Sequence, residues 1–109
     1  MNGAAIAELF EPLGVVSIRR MFGGKGIYYN GLIIAIEIYD EILLKADSVT
    51  APRFEAAGAR QWVYENKKRK AVAMPYWSIP DEAVDDPEEM GKWLQLAYEA
   101  AVRWQAGRL

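Results

Sequence analysis

The sequence predicts an α+β fold in two layers, with helices packed on an antiparallel sheet. Three features lead to it. Apolar residues recur at helical spacing near both ends of the chain. Short apolar and β-branched runs, separated by turn residues, fill the middle. The chain has 109 residues, 52% of them hydrophobic, which suits one domain over residues 1–109 with a single core. The expected order is a helix, four strands, a helix, two strands and a final helix.

The first helix rests on Ile6, Leu9, Phe10 and Leu13, spaced i, i+3, i+4 and i+7, with Pro12 and Gly14 ending it. Residues 15–21 follow as a strand with Val16 and Ile18 on one face and Arg19 on the other. The run Phe22-Gly23-Gly24-Lys25-Gly26 interrupts it. Glycines so closely spaced predict positive φ, a bulge or tight corner, or a close approach of two backbones. Ile27-Tyr28-Tyr29 resumes the sheet. Asn30-Gly31 predicts a type I′ hairpin turn, since both residues tolerate left-handed angles. Residues 32–39 are apolar except for Glu37 and form a central strand. Asp40-Glu41 then turns the chain into a fourth strand, residues 42–45.

Asp47 or Ser48 is expected to cap the second helix, with Pro52 in its first turn, Phe54 and Ala57 along it and Gly58 at its close. Residues 60–65 and 71–77 make a second hairpin across Asn66-Lys67-Lys68-Arg69-Lys70. Pro75 has no N–H to give a ladder, so it belongs at an edge, a bulge or a strand end. The last helix is the clearest. Asp86 caps it, Pro87 takes its first position, and Glu88 and Glu89 suit its positive dipole end. Met90, Trp93, Leu94, Ala97, Ala100, Ala101 and Trp104 form its core stripe. Arg103 and Arg108 suit its C-terminal end.

Composition narrows the chemistry. The chain contains no cysteine and no histidine. That removes thiolate nucleophiles, disulfides, Ser-His-Asp triads and the usual zinc sites, leaving carboxylate and lysine chemistry. Hydroxyl nucleophiles are few, and none sits in a nucleophile-elbow pattern. The formal charge is -2, unlike the basic balance of a dedicated nucleic-acid domain. No run reaches the apolar length of a membrane span, and the first ten residues lack the pattern of a signal peptide. A cytoplasmic protein without cofactor, metal or membrane association is expected.

Two groups of residues resemble a known family. Arg20-Met21-Phe22-Gly23-Gly24-Lys25-Gly26-Ile27-Tyr28, then Gly31, an apolar strand and Leu43-Leu44-Lys45, resemble the opening of the TfoX N-terminal domain family. Trp62-Val63-Tyr64, the run Met74-Pro75-Tyr76-Trp77-Ser78-Ile79-Pro80 and an acidic stretch leading to Trp93 resemble its second half. Phe22, Gly23, Gly24, Gly26, Tyr76, Trp77 and Pro80 carry the match as structural motif residues. The resemblance implies a fold akin to the type III secretion chaperones. It also implies a link to TfoX, a bacterial regulator of natural competence genes. Full-length TfoX proteins carry a second, C-terminal domain, whereas this chain resembles the first alone. No catalytic residue comes with the family.

The expected function is therefore that of a non-enzymatic regulatory or adaptor domain that binds a protein partner, with a homodimer included. The second reading is direct nucleic-acid binding. Arg19, Arg20, Lys25 and the turn of Lys67, Lys68, Arg69 and Lys70 could grip phosphates, and Trp62, Tyr64, Tyr76 and Trp77 could stack on bases. Against it, short charge runs are commonly solvated. The Gly23-Gly24-Lys25-Gly26 stretch lacks the spacing of a P-loop, and strands rather than helices flank it, unlike a KH loop. The third reading is a small enzyme using Glu37 or the acids Asp81, Glu82, Asp85, Asp86, Glu88 and Glu89. The acidic run lacks EF-hand spacing and suits a helix start. Glu37 is expected on the outer or edge-facing side of the sheet, or paired with Arg19 or Lys45.

Overall fold

A computed structural model describes residues 1–21 and 23–108 of the chain. Phe22, one of the motif residues, lies outside the described residues. The first helix, α1 (Gly3–Leu9), begins at Asn2, whose side-chain oxygen accepts a hydrogen bond from the Ala5 N–H at 2.8 Å. That bond satisfies one of the donors a helix start leaves bare. Ile6 and Phe10 are fully buried. The helix stops before its apolar spacing does, and Phe10 at its cap and Leu13 in the turn beyond still reach the same core.

The strands follow as β1 (Ser17–Met21), β2 (Gly24–Tyr29), β3 (Leu32–Ile38) and β4 (Glu41–Lys45), an antiparallel meander. After α2 (Ala51–Ala56) come β5 (Gln61–Glu65), β6 (Ala71–Ser78), a 3-10 turn at Asp81–Ala83 and α3 (Pro87–Ala106). The sheet order is β1-β2-β3-β4-β6-β5. This is the expected α+β arrangement, with the short turn before α3 as an addition.

Local chemistry explains the connections. Asn30 and Gly31 have φ of 50 and 78, as a type I′ turn requires. The next turn falls one residue earlier than expected, on Tyr39 (φ 50) and Asp40 (φ 63), because Ile38 pairs with Glu41. A two-residue link with this twist forces both central residues left-handed, even a bulky tyrosine. The glycine-rich run is a corner: Met21 pairs with Gly24, and Gly23 has φ 74. Gly24 meets the close-approach expectation, since a Cβ there would lie 1.9 Å from the Glu37 carbonyl oxygen.

Two irregularities shape the core. Ile27 pairs with Ala35 but Tyr28 pairs with Ile33, so Ile34 is an extra residue on β3. The bulge lets Ile34 and Ala35, neighbours in sequence, enter the same core. Pro75 also lies in a bulge: Gln61 pairs with Trp77 while Val63 pairs with Ala73, two steps on β5 against four on β6. Its carbonyl still accepts from the Ala46 N–H at 2.9 Å, so that pair keeps one of its two ladder bonds despite the missing N–H.

All three helices pack on one face of the sheet. Ile6 and Phe10, Phe54 of α2, and Met90, Trp93, Leu94, Ala97 and Ala101 of α3 share one buried cluster with Ile27, Leu44 and Trp77. The Phe54 ring lies 4.8 Å from Trp93 and 6.3 Å from Trp77, centroid to centroid. At ~3–5 kcal/mol for truncation of a buried Phe, that wedge is a main contributor to stability. The start of α2 differs from expectation. Thr50 is the N-cap and makes no side-chain cap bond. Asp47 braces the preceding turn instead, accepting from the N–H groups of Val49 and Thr50. For α3 the expected cap holds, with Asp86 accepting from Glu88 and Glu89 at 3.0 and 3.2 Å. Trp104 leaves the core stripe and is 48% exposed.

The Gly24 contact generates a direct test. Gly24→Ala should cost at least about 2 kcal/mol, the range of core overpacking, because backbone must move. Gly23→Asn, with open space around it, should cost under about 1 kcal/mol since Asn visits left-handed angles. Urea unfolding of the two variants checks this, and equal costs would refute the close-approach account.

Candidate interaction surfaces

Strand alternation divides the sheet into two apolar faces, and the helices cover only one. On the other, Ile36, Leu43 and Tyr76 form a second buried cluster. Ile33, Ile38, Trp62 and Met74 pack around them, and among the described residues no helix contributes to that cluster. The sheet supplies its own partial cover through long side chains. Trp62 and Tyr64 stack at 5.7 Å on β5, the edge strand.

The residues singled out as basic contacts are dispersed. Arg19 and Arg20 lie on β1, at one edge. Alternation sends Arg20 to the side of Ile18 and Arg19 to the other, where its guanidinium sits 5.0 Å over the Tyr28 ring. Lys67, Lys68, Arg69 and Lys70 occupy the β5–β6 turn at the opposite edge, roughly 24 Å away at the usual strand spacing. That turn is ordered. The Asn66 side chain accepts from the N–H groups of Lys68 and Lys70 at 2.9 and 3.0 Å, and Arg69 is left-handed at φ 58. Four exposed cations are thus held on one fixed loop.

Lys25 belongs to neither group. It lies opposite Glu37 in the β2–β3 register, and its ammonium is 3.5 Å from the Glu37 carboxylate. Glu37 is only 6% exposed and shares the helix-covered face with Ala35. The expected outer position and the expected partners Arg19 and Lys45 are therefore corrected. Cross-strand register selects Lys25, and the amino group of Met1 approaches at 3.4 Å. Among the described residues, no group of three or more acidic side chains is placed to hold a metal ion. Of the motif residues, Gly24 and Gly26 lie in β2 and Gly23 at the corner before it. Tyr76 and Trp77 straddle the sheet, Tyr76 in the open-face cluster and Trp77 in the helix-side core. Pro80 is fully buried.

Sequence reasoning missed the group at the end of α3. Lys45 ends β4 on the open face, opposite Tyr76, and is 6% exposed. Its ammonium lies 4.7 Å from the Trp104 ring centre and 5.5 Å from that of Tyr76. Arg108 stacks on the same Trp104 ring at 4.6 Å. Among the described residues no carboxylate lies within ion-pair distance of Lys45. Burial pushes its pKa down. The available signal was a lysine directly after Ile42-Leu43-Leu44, together with the Arg103-Trp104 pair.

Nearby, Arg103 binds Asp47 through two nitrogens, at 2.6 and 3.1 Å. The bond tethers the end of α3 to the turn before α2. The Arg103 guanidinium, aided by the Thr50 and Val49 N–H groups against the opposing effect of burial, holds the Asp47 carboxyl at about 2. A separate groove of about 700 Å³ between α1, the 3-10 turn and α3 has Leu9, Pro12, Val84 and Met90 in its lining, with Glu8, Glu11, Asp85 and Glu88 also along it. No described helix is long and apolar enough to cross a membrane.

The family model described as the TfoX N-terminal domain matches residues 8–101. Among curated proteins no match is found.

Asp47 gives a pH prediction. Its folded carboxyl binds a proton less tightly than the ordinary value of 3.8, so acid favours unfolding. The stability difference between wild type and Asp47→Asn, which keeps an acceptor for the turn, should be full near neutrality. It should shrink as pH falls below 3.8 and be lost as pH falls through about 2. Unfolding curves at stepped pH test this, and a difference independent of pH would remove the Arg103 tether as its source.

Proposed function

The chain belongs to the TfoX N-terminal domain family, and on that premise we propose that it is a cytoplasmic regulatory adaptor working by protein–protein contact rather than by catalysis. The family is regulatory and linked to competence. The observation that carries the contact role is the open sheet face: Ile36, Leu43 and Tyr76 at its centre, Ile33, Ile38, Trp62 and Met74 around them, and no described helix above. Its centre is sealed by its own rim, and the half-buried Trp62 and Met74 with the 42% exposed Tyr64 are the apolar surface offered to a partner. The partner is a protein, and a second copy of the chain is included.

A second reading has its own support. The ordered turn of Lys67, Lys68, Arg69 and Lys70 sits beside the Trp62–Tyr64 pair, the combination of charge and flat rings that holds single-stranded nucleic acid. Binding of that kind weakens steeply with salt.

Two measurements separate them. Replacing Trp62 and Tyr64 by Gln should abolish self-association in the ultracentrifuge or capture of a partner in affinity pull-down, with the fold retained. A wild-type chain that stays a strict monomer and retrieves no protein would defeat the adaptor reading. Reversing the charge of Lys67, Lys68, Arg69 and Lys70 should leave partner capture intact. Loss of a salt-sensitive DNA or RNA complex on that reversal would instead support the nucleic-acid reading.

A further inference from the structure

The groove between α1, the 3-10 turn and α3 has a neighbour. A second hollow, of about 410 Å³, shares Met1, Leu9 and Val84 with it and carries on past Ile42 and Ile79 to Arg60. Together they make one trough, and no residue of the open-face cluster lines it. Its apolar lining is still open to solvent. Val84 closes the 3-10 turn and is 55% exposed, Pro12 and Pro87 are exposed, and Leu9 and Ile79 are half-buried.

Charge limits what the trough can hold. Glu8, Glu11, Asp81, Asp85 and Glu88 lie along it, and none forms an ion pair among the described residues. The cations along it are taken: Arg60 pairs with Glu41, and the Met1 amino group with Glu37 and Asp40. Helix electrostatics account for Glu88, at the positive start of α3. They do not account for Glu8 and Glu11, in the last turn of α1 and just beyond it, where a helix end is negative. Among the described residues these acids are not grouped to hold a metal ion. They are spread over two helices and a turn, so their field suits several separated cations.

We propose that the trough receives a basic amphipathic helix of a separate partner protein, with apolar side chains on Leu9, Pro12 and Val84 and Lys or Arg side chains against Glu8, Glu11, Asp85 and Glu88. The lining is mostly helix and turn, so contact runs through side chains laid along a groove. The acids repel a nucleic acid or an anionic lipid surface. The chain's own basic turn, Lys67 to Lys70, has no apolar side chain among its four cations. A second copy docking by that turn would match the charge and leave the apolar lining bare. The trough is a contact surface additional to the open sheet face, and neither depends on the other.

The probe is a blocked peptide of about 15 residues made of Leu, Lys and Ala, with Leu at i, i+3, i+4 and i+7. Its controls are a scrambled peptide of the same composition and a counterpart with Glu in place of Lys. Fluorescence anisotropy reads its affinity for the full chain, and NMR follows the Val84 and Met90 methyls and the Trp62 indole N–H. The peptide should bind saturably and move Val84 and Met90 but not Trp62. Both controls should bind about tenfold more weakly or worse. Glu8→Gln with Glu11→Gln, at two exposed positions, should cost about tenfold in affinity. Val84→Ser should weaken binding as well, through apolar contact alone. No saturable binding, equal binding of the scrambled peptide, or unchanged affinity in the Glu8→Gln, Glu11→Gln chain overturns the proposal. So does a peptide that moves Trp62 and leaves Val84 and Met90 still, which would place it on the open face. A dimer of the chain that the peptide disperses would give the trough to a second copy and equally overturn a separate partner.

Discussion

Three residue pairs between β4 and β6 hold the molecule together: Leu43 with Ser78, Leu44 with Trp77, and Lys45 with Tyr76. They join a local meander, built from short hairpins, to a hairpin that arrives after a helix. Without this seam the sheet would be two unrelated pieces. The seam also sets both faces at once. Leu44 and Trp77 look toward the helices, and Trp77 meets Phe54 there. Leu43, Lys45 and Tyr76 look the other way. The Ser78 hydroxyl accepts from the Arg60 N–H at 2.8 Å, pinning the start of β5 to the end of β6. The Tyr76-Trp77 dipeptide is thus a two-sided device, with one ring buried in the cluster on each face.

The ionic groups divide in the same way. On the helix side, Glu37 is answered by Lys25 across the strand, and the chain's interior charge is balanced. At the end of α3, Asp47 and Arg103 form a two-point bridge. Such a bridge is partly exposed and contributes modestly, but it fixes where the helix ends. Its geometric effect reaches further than its energy. With Arg103 anchored, Trp104 is held beside Lys45 and Arg108 beside Trp104. The ion pair therefore also sets where Lys45, Trp104 and Arg108 meet.

Much of the fold was legible because its signals are local. Asn30-Gly31, the Asp86-Pro87 start and the stripe from Met90 to Ala101 each state their conformation within a few residues. Register was not legible. The one-residue shift of the turn to Tyr39-Asp40, the extra Ile34 and the bulge at Pro75 depend on which residues pair, and pairing is a property of two strands. The partner of Glu37 was missed for that reason: Lys25 is opposite it only once β2 and β3 are aligned. Of the candidate site, the basic turn and its adjoining aromatics could be found from sequence. Lys45 could not, because its significance comes from Trp104, 59 positions away and read from periodicity as core.

An open apolar sheet face invites aggregation, and the edges of this sheet resist it. Arg19 and Arg20 place charge on β1, and the β5–β6 turn places four cations beside the other edge. Charges at edges discourage strand-to-strand pairing between copies. The same cations cannot be neutral toward a partner. The whole molecule carries a formal charge of -2, with acids gathered at residues 81–89. A chain of mild net charge thus gathers cations at the two edges of its sheet. The cations that keep strand edges of separate copies from pairing are also the charges an approaching molecule meets at those edges.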